Sequence, residues 1–503
     1  MKFTCRRKIC YRRLETPVEQ PVSKGRPRGS RTRSSDSPRR DLLGLDSKRF
    51  PKIPVELANQ IQSLTKSMLR DLFKLLQRSY ESGIDGVLLE LLEEGLPALL
   101  TRFGRELMQA QLEQERGHYG PRIKDRDGDI LEYEGDRKKS VLTPLGEVSF
   151  RRSYYRGTGK RIYPLDQLLG ISEHAVLPGL QQSIALLSSR TSFPDATDLL
   201  NRLLPLSISL KRVENIAQTL ATNVQQSQER RVKETLDPCA NLPTVRQART
   251  TVLAIDGGMC RVRNEDETHR EFKLAALGTL EGKRIIDKHY VGHFGKPSNL
   301  FEHLTADFFE SGHAGSTHVH IVADGAHWIW RGVEALIQEH QHVTMVLDYF
   351  HVSERLSELT QSLFAPGEAE RQKDVAVDHL FEGRVQDFFE LLTAWSKSPP
   401  TDAKDLVREC LTYFRNNQYR LEYKKHRDAG LPIGSGVIEG GVRFIGKDRL
   451  DRTGMRWSVP GAERILQLRC LDASNKWDSY WKDKADKRKQ IYFDNKRVWV
   501  LAA

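Results

Sequence analysis

The chain has 503 residues, 38% of them hydrophobic, which is enough for roughly two to four domains with packed cores. It has no run of roughly 18 or more apolar residues, and it begins with MKFTCRRKIC, which is not an apolar leader. Its six cysteines are scattered apart from Cys5 and Cys10, and one such pair is weak evidence for zinc. We therefore expect a cytoplasmic protein with reduced thiols and no membrane association.

The net charge of +12 is concentrated near the N-terminus. Residues 1–50 contain 15 Lys and Arg against 5 Asp and Glu, a balance of +10, so the rest of the chain carries only +2. These residues have too few apolar side chains for a core, so we expect a disordered basic arm. Such an arm attracts nucleic acid or another polyanion without sequence preference, although a merely solvated tail fits equally well.

The next two segments predict a helical region and a β-hairpin. Apolar residues in 51–118 recur at spacings of three and four, which predicts helices that pack on the core or on another subunit. In residues 119–170, KKSVLT and EVSFRRSYYR flank a Pro-Leu-Gly turn, which predicts a hairpin. Cations among aromatics on its second strand suit phosphate contacts and base stacking, and an ordinary exposed strand is the alternative. The candidate DNA contacts there are Arg151, Arg152 and Arg156.

Residues 171–231 predict three helices. The second, FPDATDLLNRLL, is followed by a short turn, PLSIS, and by a helix that Ser209 can cap. A helix, a short turn and another helix are typical of a helix-turn-helix, whose second helix would lie in a DNA major groove. Lys211, Arg212 and Asn215 would then reach base edges, although helix pairs of this kind often only pack together.

After a polar linker at 232–249, strand-like and helical runs alternate. Residues 250–351 read as three strands, a helix, a strand, a helix and a strand, which is the order of a ribonuclease H-like core. Residues 352–430 have helical periodicity only and predict an all-helical insertion. Residues 431–473 then supply the last helices of the core, and 474–503 form a C-terminal tail. The expected fold class is thus α/β, preceded by helical and helix-turn-helix DNA-binding regions.

Three carboxylates are the candidate catalytic residues. Asp256 and Asp324 each follow an apolar strand and precede glycine, and Glu439 lies on a late helix. In a ribonuclease H-like core these three positions converge, and hard oxygen ligands suit Mg²⁺ or Mn²⁺. Two such ions can activate a water or a 3′-hydroxyl for in-line displacement at phosphorus. Arg443 and Lys447 follow Glu439 at i+4 and i+8 on the same face, where they could hold phosphates.

Four further side chains are candidates around this site. Asp348 and His351 form Asp-x-x-His after the next strand, where they either bind a metal or orient the groups that do; we favour the second role. His327, soon after Asp324, could contact the site or be an exposed residue at the start of a helix. Trp457 could stack on DNA bases or pack in the core.

The motifs just described resemble a known family. Residues 429–469, which contain LPIGSGVIEGGVRFIGKDRLDRTGMRW, are similar to the C-terminal signature of ISKra-type bacterial insertion-sequence transposases, which are relatives of the Mutator-like DDE group. DGAHWIW and LDYFHV resemble other core motifs of that family. The resemblance implies a DDE triad of Asp256, Asp324 and Glu439 with a helical insertion before the third acid. Two features depart from the pattern: residues 155–160 lack a Cys-x-x-Cys pair, and glycines follow Glu439 where many members have serine.

The sequence therefore predicts a DNA transposase that binds terminal inverted repeats and uses two Mg²⁺ or Mn²⁺ ions for strand cleavage and strand transfer. Its expected partners are double-stranded DNA, both repeat and target, and a second copy of itself in a homodimer or higher oligomer. We expect it in the bacterial cytoplasm, associated with the nucleoid. The alternatives are a non-catalytic DNA-binding protein derived from a transposase and a ribonuclease H-like nuclease without strand transfer.

Overall fold

The computed structural model of the protein describes residues 54–81, 87–171, 174–237, 245–263, 268–452 and 454–501. The basic arm expected at 1–50 lies outside these residues. Residues 56–503 form one unit by their internal contacts. None of the described helices is both long and apolar enough to cross a membrane.

The described chain begins with two long helices, α1 (Val55–Glu81) and α2 (Val87–Glu115). A four-stranded antiparallel sheet follows, in the order β1-β2-β3-β4. Its strands are β1 (Arg122–Lys124), β2 (Ile130–Thr143), β3 (Gly146–Arg156) and β4 (Arg161–Ile162). The hairpin expected from KKSVLT and EVSFRRSYYR is confirmed, with Thr143 paired to Gly146 at its turn. One side of β3 packs against α2, whereas Tyr155 on the other side is also buried.

Four helices lead from this sheet towards the second one: α3 (Pro164–Leu169), α4 (Pro178–Arg190), α5 (Phe193–Leu203) and α6 (Leu210–Thr235). The Ser192 hydroxyl caps α5 by accepting a hydrogen bond from the Asp195 amide at 3.1 Å. As expected, α6 begins directly after Ser209, but the Ser209 side chain forms no capping hydrogen bond. One face of α6 is buried, because its apolar residues recur at helical spacing and pack against α4 and a late helix.

The second sheet has five strands in the order β7-β6-β5-β8-β9. They are β5 (Gln247–Arg261), β6 (His269–Glu281), β7 (Arg284–Phe294), β8 (Ser316–Ala323) and β9 (His342–Leu347). The first three are antiparallel, whereas β8 runs parallel to β5, and β9 parallel to β8. Helix α7 (Pro297–Glu310) precedes β8, and α8 (His327–Leu336) connects β8 to β9. The predicted order of strands and helices is therefore confirmed, and the protein is of mixed α/β class.

The segment after β9 is helical, as predicted. It contains α9 (Tyr349–Leu363), α10 (Pro366–Phe381), α11 (Val385–Trp395), α12 (Lys404–Asn416) and α13 (Tyr423–Asp428), with short 3₁₀ turns between some of them. The chain then returns to the sheet through α14 (Gly436–Gly441), a π-helix (Val442–Lys447), α15 (Asp448–Leu450) and α16 (Val459–Ala473).

The two faces of the five-stranded sheet have different coverings. Leu253 and Ile255 of β5 face a core shared with α7, α8 and the inserted helices. Ala254 of the same strand faces a core shared with α6, α14 and α16. This alternation is the period of two that a strand imposes, and it decides which layer each site residue of β5 meets.

Most of the segment expected to be a C-terminal tail is a long helix, α17 (Trp477–Leu501). Its Tyr492 and Trp499 are buried in one cluster with Ile123, Leu131 and Tyr155 of the first sheet and its flanks. The aromatic side chains of this charged segment therefore bind it to the N-terminal half of the protein.

Candidate active site

Asp256 and Asp324 lie beside each other at one edge of the parallel strand pair. The pairing of β5 with β8 ends at Ile255 and Ala323, and the two aspartates are the next residues on their chains. We expected Asp256 to terminate its strand, but β5 continues to Arg261 in antiparallel pairing with β6. Asp256 lies two residues after Ala254 on β5, so both side chains point to the same face of the sheet, which α14 covers.

The two glycines after Asp256 permit a close approach rather than a turn. A Cβ atom on Gly258 would lie 2.4 Å from the Phe272 ring, and one on Gly257 would lie 2.6 Å from Oε1 of Glu271. Side chains of β6 thus cross over this part of β5 because it lacks side chains of its own. The Asp-Gly-Gly sequence is consistent with both a turn and a continued strand, and the neighbouring strand decides between them.

Asp324 occupies the turn between β8 and α8. Its Oδ1 accepts a hydrogen bond from the Ala326 amide at 2.9 Å, which fixes one carboxylate oxygen and leaves Oδ2 available. Gly325 in the same turn packs against Tyr413 and Asn417 of the inserted helical region, where a Cβ would lie 2.3 Å from the tyrosine ring. The insertion therefore supports the loop that carries the second acid.

Glu439 lies on α14 and is connected to the end of β9 through Ser435. The Ser435 hydroxyl lies 3.3 Å from Oε1 of Glu439 and also donates to Oδ2 of Asp348. Oδ1 of Asp348 accepts hydrogen bonds from the amides of Ser435 and Phe350, each at 3.1 Å. Asp348 is 0% exposed. It therefore holds together the start of α9 and the segment that carries the third acid.

His351 stands between two of the acids. Its Nε2 lies 3.8 Å from Oδ1 of Asp256 and 3.7 Å from Oδ2 of Asp348, and its Nδ1 lies 3.7 Å from Glu354. These separations exceed a hydrogen bond but leave the imidazole close enough to influence both carboxylates. His327 is exposed at the first residue of α8.

Burial is the main cause that raises the pKa values of all three acids, and neighbouring carboxylates add to it. Burial, followed by the charges of Asp324 and Asp348, raises the pKa of Asp256. Burial likewise raises the pKa of Asp324 and of Glu439, with smaller contributions from neighbouring carboxylates that include Asp348 in both cases. Carboxylates that disfavour each other's ionisation form a site that a divalent cation would stabilise.

A cleft of about 580 Å³ opens beside these residues. Its wall contains Asp256, Glu439 and His351 from the acidic side, and Arg443 and Lys447 from the π-helix. Both cations are exposed, so they could meet a polyanion that enters the cleft. A π-helical segment is rare and is frequently found at functional sites. The predicted grouping of a carboxylate with two cations is therefore present, although the local helix is wider than an α-helix.

The oxygen atoms of Asp256, Asp324 and Glu439 are not all within 4.8 Å of one another, the spacing expected of ligands to a single ion. Asp125, Asp127 and Asp129 do meet that criterion. However, the Lys160 ammonium lies 2.6–2.8 Å from all three and already pairs with each of them. Among the described residues, no lysine or arginine forms an ion pair with Asp256, Asp324 or Glu439, although Arg443 and Lys447 lie in the wall of the same cleft, so these acids are the better candidate metal site.

Two of the predicted DNA contacts are wrong because their side chains are buried. Arg152 is 7% exposed, pairs with Asp166 at 2.9 Å and stacks over the Tyr163 ring at 3.5 Å. Trp457 is also 7% exposed, and its Nε1 donates to the Leu450 carbonyl at 2.9 Å. Both side chains stabilise the fold and cannot reach a base.

The remaining predicted DNA contacts differ in whether their side chains are exposed and whether other groups of the protein already hold them. Arg212 donates to the backbone carbonyls of His174 and Ala175, so its guanidinium is held by the protein. Lys211 and Asn215 are exposed at the start of α6, where Lys211 pairs with Glu214 at 3.2 Å. Arg151 and Arg156 are exposed on β3.

Three further residues around the site were not predicted from the sequence. Glu271 and Lys273 form an ion pair of 2.7 Å on β6, and the charge of Glu271 contributes to raising the pKa of Asp324. Charged residues two apart in the otherwise apolar run EFKLAALG were a usable signal, because a buried strand rarely carries them without a partner. Tyr413 gave no such signal, since its position depends on how the insertion folds back.

Comparison with known proteins identifies the family. The model of UPF0236, an uncharacterised protein family, matches residues 83–475. A UPF0236 protein in the vanSb 3′ region of Streptococcus gallolyticus is 24% identical over 420 residues, covering 80% of this chain and 84% of the relative. A UPF0236 protein of Caldanaerobacter subterraneus subsp. tengcongensis is 22% identical over 383 residues, or 74% of this chain and 76% of its own length. Another from that organism, whose name joins eleven locus designations, is 22% identical over 385 residues, or 74% and 75%. The chain therefore belongs to the UPF0236 family.

Proposed function

We propose that this protein is a DNA transposase of an insertion sequence, which binds the element ends and cleaves and joins DNA strands with divalent metal ions. The observation that carries the proposal is the convergence of Asp256, Asp324 and Glu439 from two adjacent parallel strands and a late helix. Two of these acids line a cleft whose wall also carries Arg443 and Lys447.

The architecture supports this proposal. A five-stranded sheet in which three antiparallel strands are followed by two parallel ones is the arrangement expected of a ribonuclease H-like core. The inserted helices lie between the second and third acids, where the resemblance to DDE transposases implies an insertion. Fold alone does not fix function, so the proposal rests on the site.

The donor set fits divalent magnesium or manganese. Three carboxylates supply hard oxygen ligands, and their spread beyond the reach of one ion suits a pair of ions. When bound, such ions would supply Lewis-acid activation of a water or a 3′-hydroxyl and stabilise the leaving oxygen at phosphorus. Asp256, Asp324 and Glu439 are the residues that would hold them.

The other residues of the cleft have separate tasks. Arg443 and Lys447 are placed to neutralise the DNA backbone beside the acids, as cations do in phosphoryl-transfer sites. His351 lies between Asp256 and Asp348, with its Nε2 3.8 Å and 3.7 Å from their carboxylate oxygens, so it can help to orient both. Asp348 and Ser435 keep Glu439 at the cleft.

The relatives add a genomic argument. One Caldanaerobacter relative has a name that joins eleven locus designations, and another joins four. A protein encoded repeatedly in one genome is what a self-copying DNA element would leave behind. Repeated loci do not themselves identify chemistry, but they favour a mobile element over a single-copy nuclease or repressor.

The test measures strand cleavage of a labelled duplex that carries the element's own end. The unaltered protein and Glu439→Gln are compared in the presence of Mg²⁺. We expect nicking at the element boundary that requires metal and falls at least a hundredfold in the variant. Glu390→Gln, which changes an exposed acid on α11, is the matched control and should cleave normally.

Three other outcomes contradict the proposal in distinguishable ways. Equal cleavage by the unaltered protein and by Glu439→Gln would exclude Glu439 as the third acid. Tight end binding without cleavage would indicate a non-catalytic DNA-binding protein. Cleavage without joining to a target duplex would indicate a nuclease that lacks strand transfer.

A further inference from the structure

The four-stranded sheet places cations directly opposite cations. Three cross-strand pairs have this character: Arg137 with Arg152, Lys138 with Arg151, and Arg156 with Arg161. Like charges directly opposite each other destabilise a sheet. Three such pairs therefore need compensation from other residues or from a bound anion.

Two of the three pairs are compensated within the protein. Arg152 pairs with Asp166, and Arg156 lies 3.9 Å from Glu134. Lys138 and Arg151 are both exposed, and no ion pair among the described residues includes either one. The central pair of the hairpin thus presents two uncompensated positive charges to solvent.

Hydroxyl groups extend this feature along the same face. Ser140 and Ser149 are the next pair on the side of the hairpin that carries Lys138 and Arg151, because strand residues two apart share a face. Their Oγ atoms lie 2.6 Å apart, and both residues are half-buried. Lysine, arginine and serine are all donors to phosphate oxygens. We call Lys138, Ser140, Ser149 and Arg151 the hairpin face.

The aromatic residues of β3 add no exposed ring to this face, although Tyr155 lies on the same side of the strand as Arg151. Tyr154 is 8% exposed and Tyr155 is 0% exposed, so neither can stack on a base. The opposite side of β3 is buried, where Phe150 packs against α2 and α3 in the core. The exposed donors of the hairpin face are therefore cationic, with half-buried hydroxyls beside them, and the exposed carboxylate of Glu147 lies on the same side next to Ser149. Cations and hydroxyls suit the DNA backbone.

We propose that the hairpin face binds the phosphate backbone of duplex DNA and positions it without reading its sequence. This inference rests on the proposed function, because the bound duplex would be the one delivered to the acids of the cleft. It replaces the base-stacking role expected for this strand and adds Lys138 as a contact. Bound phosphates would also remove the electrostatic cost of the opposed cations.

The experiment measures the affinity of the full chain for a labelled duplex of unrelated sequence as a function of salt concentration. The test variant is Lys138→Ala/Arg151→Ala, and the matched control is Lys283→Ala/Arg284→Ala, which removes two exposed cations from the turn between β6 and β7. Each lost phosphate contact should reduce the slope of log affinity against log salt by about 0.9. We expect a reduction of about 1.8 and about tenfold weaker binding near 0.1 M salt for the test variant only.

Two additional variants separate contact from folding and from net charge. Lys138→Arg/Arg151→Lys keeps both charges and should retain the slope. Ser140→Ala/Ser149→Ala should weaken binding without changing the slope, because it removes neutral donors. Lys138→Ala/Arg151→Ala should have a melting temperature equal to or above that of the unaltered protein, since it removes a repulsive pair.

The outcomes distinguish this inference from the proposed function. An unchanged slope for Lys138→Ala/Arg151→Ala, or an equal reduction in the control, would overturn the hairpin face even if Glu439-dependent cleavage is found. A reduced slope in a protein that shows no metal-dependent cleavage would support the hairpin face as a DNA-binding surface and count against the transposase.

Discussion

The backbone amide of Ser435 donates to Oδ1 of Asp348 at 3.1 Å, across 87 residues of sequence. This bond closes the inserted helical region at its base. It joins the end of β9 to the start of the segment that carries Glu439. The position of the third acid is therefore set by a buried carboxylate rather than by its own short helix, which has six residues.

Replacing Asp348 should disable the site without removing a proposed catalytic acid. Asp348→Ala leaves the Ser435 amide and hydroxyl and the Phe350 amide without their acceptor, at a cost of about 1–3 kcal/mol for each buried group. We expect cleavage to fall about a hundredfold and urea unfolding to shift to lower concentration. Asp348→Asn can retain the Oδ1 contacts and should fall less. Equal activity of both variants and the unaltered protein would contradict this role.

Magnesium should stabilise the protein more strongly as the pH rises. The pKa values of Asp256, Asp324 and Glu439 are raised in the folded protein, so without metal the folded state binds more protons than the unfolded state. Stability of the metal-free protein should therefore fall as the pH rises from about 4 through the raised pKa values. Because metal ligands must be deprotonated, the increase in Tm on adding Mg²⁺ should be small at pH 5 and larger at pH 7.5.

Removing one of these charges should stabilise the metal-free protein. Asp256→Asn relieves repulsion within the site, for which we expect about 1 kcal/mol of stabilisation, or a rise in Tm of about 1 °C at pH 7.5 for a folded unit that spans residues 56–503. The same variant should lose most of the Mg²⁺-dependent shift. A lower Tm without metal, measured by thermal unfolding at that pH, would show that the carboxylates are not strained against one another.

Variants of Trp457 test whether this buried aromatic side chain contributes to DNA binding. Trp457→Ala opens a cavity in the core shared with α16 and should lower the free energy of unfolding by about 3–5 kcal/mol in urea titrations. Trp457→Phe should cost less, about 1–3 kcal/mol, since it mainly leaves the Leu450 carbonyl without its donor. For either variant, DNA affinity at a temperature where it remains folded should be unchanged. A loss of binding by about 1–3 kcal/mol would instead indicate base stacking.

The sequence was informative where a residue's role depends on its own strand or helix. Apolar runs bounded by glycine predicted the strands of the second sheet, and the carboxylates that follow two of them were found for the same reason. The end of β5 could not be predicted from Asp256-Gly257-Gly258, because both a turn and a continued strand allow glycine. The Phe272 ring, which lies over Gly258 from the next strand, decides the outcome.

The errors concern side chains whose partners are distant in sequence. Arg152 was expected to contact DNA because cations are mixed with aromatics on this strand, but Asp166 of α3 provides a buried counter-charge. No structure was predicted for the C-terminal tail at 474–503, most of which is the helix α17. Its Trp499 becomes buried only when the first sheet supplies an apolar surface. Such tertiary effects override local composition.

Gly325 forms the contact between the inserted helices and the turn that carries the second acid. Gly325→Ala would place a Cβ 2.3 Å from the Tyr413 ring and 2.9 Å from Nδ2 of Asn417, so the turn that carries Asp324 must shift. A displacement of about 1 Å can cost about a hundredfold in rate, and we expect a loss of that size in single-turnover cleavage. Gly440→Ala is the matched control, because a Cβ at that position, next to Glu439, has no neighbour within 4 Å.

Compensation by the opposing side chain makes this prediction specific. Truncating the ring in Gly325→Ala/Tyr413→Ala provides the space that the new methyl group needs, so the double variant should recover part of the cleavage lost in Gly325→Ala. DNA binding should be the same for the single variant, the double variant and Gly440→Ala, because none of them alters an exposed cation. If the loss of activity in Gly325→Ala/Tyr413→Ala equals the losses of Gly325→Ala and of Tyr413→Ala combined, the contact does not position Asp324, and the insertion has a different role in the site.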